Sequence, residues 1–157
     1  LSTKKWFIEI DEFDQKERLL LNFGHSFGHA IEASTNFGVH HGVGVGAGMM
    51  IAACCAEQNN WLSREGRKKV AELKSHINYM LSEDLDWAVG APTVIDLDET
   101  LEKFDYDKKH RENVYRIVAP RNDGALELIS LDRTTGGRET IRQAFIAGLE
   151  TLGWRYH

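Results

Sequence analysis

Apolar residues recur at helical spacing through most of this chain, and the pattern predicts a mainly α, multi-helix fold with a small β-hairpin near residues 114–131. Over residues 19–31, Leu21, His25, Gly28, His29 and Glu32 fall at helical steps. Each of the two interior glycines costs about 1 kcal/mol relative to alanine in a helix, so their presence implies close approach by another backbone or by a ligand. Thr35-Asn36-Phe37-Gly38 supplies the stop, with Asn36 or Gly38 suited to a left-handed conformation. Residues 42–58 are small and apolar throughout, the composition of a helix buried on most sides, with Gly42 and Gly46, and Gly44 and Gly48, in two small-residue columns. Asn59-Asn60 ends that helix.

Ser63 then caps an amphipathic helix expected to reach about Ser75, with Val70, Leu73 and Ile77 turned inward. Residues 81–89 read as a brief helix or turn, Pro92 as a break, and Asp96 with Glu99 as a capping box for a helix through Phe104. Residues 114–119 and 126–131 are β-prone runs joined by a turn at Asn122-Asp123-Gly124. Residues 138–154 close the chain as a helix with Ile141, Phe145, Gly148 or Leu149, and Leu152 facing inward. At the other end, residues 4–10 fit either a strand or a helix end, and the acidic residues 11–17 read as a solvated connection. With no repeat or low-complexity linker, residues 1–157 are taken as one domain.

Composition narrows the class. At 157 residues, 42% apolar and 27% charged, the chain fits a soluble globular domain. No apolar run approaches the roughly 18 residues of a spanning helix, and no signal peptide is visible; a cytoplasmic setting is expected. The net charge of -5 speaks against nucleic-acid binding. Because the first residue is Leu1 rather than Met, the chain is expected to be a piece of a longer protein. Cys54 and Cys55 are adjacent on a predicted helix, which suits reduced packing residues and not a disulfide framework.

Chemistry concentrates in Asn22-Phe23-Gly24-His25-Ser26-Phe27-Gly28-His29-Ala30-Ile31-Glu32. A four-residue step stacks His25 and His29 on one helix face, and imidazole is the commonest protein metal ligand. Two histidines at a helix surface are about as often simply solvated side chains; His41, at the entry to the next helix, tips the balance toward a metal site. Ser26 after His25 excludes the HExxH pattern of zinc proteases. Lys4, Lys5, Arg18, Lys108, Lys109, His110 and Arg111 form a second, basic constellation suited to carboxylate or phosphate, although most single lysines are only solvated surface charge. The run Gly42-Val43-Gly44-Val45-Gly46-Ala47 fits a loose dinucleotide template, but it lacks the strand that template requires, and helix packing explains its glycines better.

Taken together, Arg18-x3-Asn22-x2-His25-x3-His29-x2-Glu32, then His41-Gly42, then Asp107-Lys108-Lys109, resembles the C-terminal domain of the 3-dehydroquinate synthase family and related sugar-phosphate cyclases. The resemblance implies an N-terminal α/β domain for NAD outside this chain, and a helical domain here that supplies metal ligands and most substrate contacts. It implies His25 and His41 as ligands of zinc or cobalt, with the third ligand, a glutamate, from a helix outside this chain. His29 would face substrate and move a proton or bind phosphate. Lys4, Arg18 and Asn22 would contact the substrate's carboxylate and hydroxyls, and the Asp107-Lys108-Lys109 turn would contribute one anion-binding lysine, either Lys108 or Lys109.

The implied reaction is conversion of 3-deoxy-arabino-heptulosonate 7-phosphate to 3-dehydroquinate with loss of phosphate, in the shikimate pathway, by a homodimer. The isolated chain would be inactive. Val43 after His41-Gly42, Leu19 and Asp14 depart from the family pattern, leaving room for a valiolone- or inosose-type cyclase. A metal-dependent polyol dehydrogenase and a non-enzymatic helical interaction module are the remaining alternatives.

Overall fold

The computed structural model describes residues 19–20, 22–36, 38–83, 94–107, 110 and 113–157. Within them the order is α1 (His25–Ser34), α2 (His41–Gln58), α3 (Arg64–Glu83), α4 (Leu97–Asp105), β1 (Val114–Arg121), β2 (Ala125–Asp132) and α5 (Thr135–Leu152). The expected helical fold with one antiparallel hairpin therefore forms. The readings of residues 4–10, 11–17 and 84–93 lie outside the described residues.

The fold is organised around α2. Ala, Gly, Met, Ile and Cys give this helix no polar stripe, and Ala47, Met50, Ile51, Ala52, Ala53, Cys55 and Ala56 are completely buried. It packs against α1, α3, α5 and β1. On α1, Phe27, Ala30 and Ile31 face the same core. Phe27 stacks on Phe104 of α4 at 5.1 Å between ring centres, and Phe145 of α5 meets Phe27 edge-on at 5.2 Å. Aromatic pairs at these separations add roughly 0.5–1.5 kcal/mol beyond their buried area, so the aromatic group fixes α1 from below.

Helix ends follow the chemistry of their caps. Ser63 Oγ accepts from the Gly66 N–H at 3.1 Å, Asp96 Oδ1 from the Glu99 N–H at 3.0 Å, and Thr134 Oγ1 from the Gly137 N–H at 3.1 Å. Asn36 and Asn60 take left-handed backbones just past α1 and α2, at φ +54° and +56°. The hairpin turn uses Asn122 at φ +52° and Gly124 at φ +106°, and the Gly124 N–H donates to the Arg121 carbonyl at 3.0 Å. The C-terminal residues are tied in by a parallel bridge between Ile95 and Tyr156.

Three helices differ by several residues from the extents the periodicity predicts. The helix expected over residues 19–31 is interrupted: Leu19, Leu20 and Asn22 are helical, Phe23 and Gly24 form a turn, and α1 begins at His25. Gly24 sits at φ +80°, a conformation costly for any residue with a side chain, and a Cβ there would lie 2.5 Å from the Met49 nitrogen. The third helix continues past Ser75 to Glu83 because Leu81, 8% exposed, extends the inward row of Val70, Leu73 and Ile77 and packs over Gly46. The last helix starts at Thr135, three residues early, where the Thr134 cap sets its first turn, and stops at Leu152 because Gly153 turns left-handed at φ +74°.

Candidate metal centre

Because Phe27, Ala30 and Ile31 face the core, the helical repeat turns His25, His29 and Glu32 to another side of α1, toward the first turn of α2. His41 is the first residue of α2. The rings of His25 and His41 stand edge-on with centres 5.7 Å apart, His25 and His29 are 6.1 Å apart, and His29 and His41 are 6.3 Å apart. Three imidazoles thus converge although sixteen positions of chain separate His25 from His41.

Glycines make this convergence possible. A Cβ on Gly28 would lie 2.5 Å from the Gly44 carbonyl oxygen and 2.9 Å from the Gly44 carbonyl carbon, and the Gly24 carbonyl occupies the space a Gly48 side chain would need. The backbones of α1 and α2 are therefore in direct contact, along one of the two expected glycine columns. Gly44 and Gly48 serve that contact, whereas Gly46 lies against Leu81 and Gly42 faces open space.

Glu32 sits beneath the cluster. Its side chain is only 4% exposed, against 58% for His29 and 63% for His41. The His41 Nδ1–H donates to Glu32 Oε1 at 2.8 Å, and Glu32 Oε2 is 3.9 Å from His29 Nε2. Ligand atoms from His29, Glu32 and His41 all lie within 4.8 Å of one another. Converging imidazole nitrogens are donors suited to zinc or cobalt, so the three histidines fit a divalent ion.

The structure brings together His25, His29 and His41 of the residues singled out from sequence, and it adds Glu32, to which no role had been assigned. Glu32 follows His25 by seven positions and His29 by three, which puts it on their face of the helix; that spacing was the available signal. Asn22 is half-buried in the helical turn just before Gly24. Lys4, Arg18, Lys108 and Lys109, with Lys5 and Arg111, lie outside the described residues.

His110 does not belong to a basic surface. It is 8% exposed, its ring is 4.5 Å from that of Phe104, and its Nδ1 accepts from the Arg116 N–H at 2.9 Å. Burial pushes its pKa below the usual histidine range, against the opposing pull of Asp107. The 42–47 glycine run lies within α2, so it is not a strand-to-helix phosphate loop. Cys54 and Cys55 are free and buried. Val43 is 2% exposed, in the core.

The chain is thus a helical domain with a histidine cluster at the meeting of two glycine-packed helices. Residues 1–110 match the family described as 3-dehydroquinate synthase C-terminal, and the chain belongs to that family. It is 35% identical over 122 residues to 3-dehydroquinate synthase of Clostridium beijerinckii, covering 77% of this chain and 32% of the relative. With the enzyme of the same name from Saccharolobus solfataricus it shares 34% over 129 residues, covering 82% of this chain and 35% of the relative. The chain therefore spans about a third of the length of the curated relatives it matches. In fold it is similar to 2-deoxy-scyllo-inosose synthase solved with carbaglucose-6-phosphate, NAD+ and Co2+, with a TM-score of 0.56 and 20% identity, over 86% of this chain and 35% of that one. Among the described residues no helix is long and apolar enough to cross a membrane.

Proposed function

We propose that this chain is the metal- and substrate-binding part of a 3-dehydroquinate synthase, releasing phosphate from 3-deoxy-arabino-heptulosonate 7-phosphate on the way to 3-dehydroquinate. The observation that carries the reading is the convergence of His25, His29 and His41 over a buried Glu32, in a chain of this family. His25 and His41 would hold zinc or cobalt, completed by a glutamate from outside this chain, while NAD would be held by a separate α/β domain. When bound, the metal and NAD together supply polarisation and transient oxidation of a substrate hydroxyl.

The chain's own side chains would do the rest. His29, exposed and one turn from His25, would move a proton at its Nε2 between substrate and solvent. Lys4, Arg18 and Asn22 would orient the substrate hydroxyls and carboxylate, and either Lys108 or Lys109 would hold an anionic group such as the phosphate, where positioning of a dianion contributes much of the rate. The protein would act as a homodimer in the cytoplasm.

The test is phosphate release from 3-deoxy-arabino-heptulosonate 7-phosphate by the complete natural protein with NAD and Zn2+ or Co2+. Turnover without net NADH is expected. Absence of turnover would refute the substrate, and net NADH from a polyol would favour a dehydrogenase of the same architecture. Residues 1–157 alone should show no turnover, since they supply only part of the ligand set; activity from them would refute the proposed division of labour.

A further inference from the structure

The buried carboxylate beneath the histidines has no evident structural employment. A carboxylate this deeply buried is costly unless its oxygens are hydrogen-bonded. Among the described residues Glu32 has no lysine or arginine within ion-pair distance; its partners are His41 Nδ1 at 2.8 Å and, more distantly, His29 Nε2 at 3.9 Å. An imidazole that donates from Nδ1 carries its lone pair on Nε2, the atom then available to a metal. Histidine ligands commonly donate their other nitrogen to a carboxylate, which fixes both tautomer and ring orientation.

Space for Glu32 is made by a residue with no chemistry of its own. The three atoms nearest a Cβ on Gly44 would all belong to the Glu32 side chain, Cγ at 2.8 Å, Cδ at 3.1 Å and Oε1 at 3.4 Å. The α2 backbone passes over the carboxylate closely enough that any side chain at position 44 would displace it.

We propose that Glu32 is a positioning residue that holds His41 in the Nδ1–H tautomer with its ring aimed for metal binding, and that Gly44 leaves the room this requires. The proposal rests on His41 being a metal ligand, as in the reading above. Glu32 acts on the metal only through His41.

The experiment is a Co2+ titration of the complete natural protein after metal removal, followed by cobalt absorption, together with nitrogen NMR of the histidine rings in the metal-free state. Glu32→Gln is expected to weaken Co2+ binding by about ten- to a hundred-fold and to mix the His41 tautomers, with the thermal midpoint reported alongside. Gly44→Ala, which keeps every ligand and the carboxylate itself, is expected to shift both readouts in the same direction. Co2+ affinity within about two-fold of wild type in Glu32→Gln, or a wild-type His41 in the Nε2–H tautomer, would overturn the proposal. So would loss of Co2+ binding in Glu32→Gln as complete as in His41→Ala, since Glu32 would then be a ligand itself. His25→Ala and His41→Ala separate the premise: unchanged Co2+ binding in both would refute the metal reading, whatever Glu32 does.

Discussion

Replacing Gly28 by alanine perturbs the one contact on which the histidine cluster depends most directly. The new Cβ would lie 2.5 Å from the Gly44 carbonyl oxygen and 2.9 Å from its carbon. Ordinary van der Waals contact begins near 3.4 Å, so the two helices must separate by about 0.9 Å. Both opposing atoms are backbone, and no side-chain rotation relieves them. Overpacking of this kind costs about 1–3 kcal/mol, and the gain of about 1 kcal/mol from placing alanine in a helix offsets only part of it.

A net loss of up to about 2 kcal/mol corresponds to a fall in Tm of up to roughly 8 °C for a domain of this size. Metal binding should suffer as well, because about 0.9 Å far exceeds the about 0.2 Å over which metal–ligand distances are tolerated. The assay is thermal unfolding of Gly28→Ala beside Gly42→Ala, each followed by a Co2+ titration for site geometry. Gly42 lies in the same helix as Gly44, but a Cβ there meets nothing within 4 Å, so Gly42→Ala should unfold at or slightly above the wild-type midpoint. A Gly28→Ala protein as stable as Gly42→Ala would refute the argument that backbone contact between α1 and α2 sets the geometry of the site.

Two further outcomes concern buried titratable groups. Burial, with the adjacent Cys54 adding to it, pushes the Cys55 thiol up to about 12 from an ordinary 9.0; the unfolded chain then loses this proton first, so stability should fall as pH rises above about 9, by at most about 1.4 kcal/mol per pH unit. Urea unfolding at several alkaline pH values checks this, and an unchanged slope in Cys55→Ala would count against it. His110, whose pKa is lowered by burial, takes up a proton at lower pH in the folded protein than in the unfolded chain, where it does so near 6.5; stability should therefore fall as pH drops below about 6.5. His110→Asn, which keeps a side-chain acceptor for the Arg116 N–H and removes the titration, should reduce that acid slope, and an undiminished slope would assign it to other groups.

Much of the fold was legible because apolar periodicity and caps report it directly. The all-apolar run of α2 announces burial on every side, and Ser63, Asp96 and Asn122-Asp123-Gly124 mark turns by local hydrogen bonding. What escaped was set by contacts between distant segments. The reversal at Gly24 leaves the three- and four-residue spacing of Leu21, His25, Gly28 and His29 intact, so a continuous helix and an interrupted one give the same pattern. His110 stands beside Lys109 and Arg111 in the chain, yet it is packed by Phe104 and Tyr115 from two other elements, and neighbours in sequence could not disclose that.

The site divides along the same line. Spacing alone put His25, His29 and Glu32 on one face, but it suggested two imidazoles acting as a pair, with Glu32 as a bystander. Burial of Glu32 arises only when α2 crosses above it; α2 can cross there only because Gly28 and Gly48 carry no side chains, and Gly44 leaves the room the carboxylate occupies. The same crossing delivers His41 within hydrogen-bonding distance of the carboxylate. One helix contact therefore buries the acid, supplies its partner and closes the distance between the histidines, so a substitution that opens the contact should disturb all three together even though it touches no ligand.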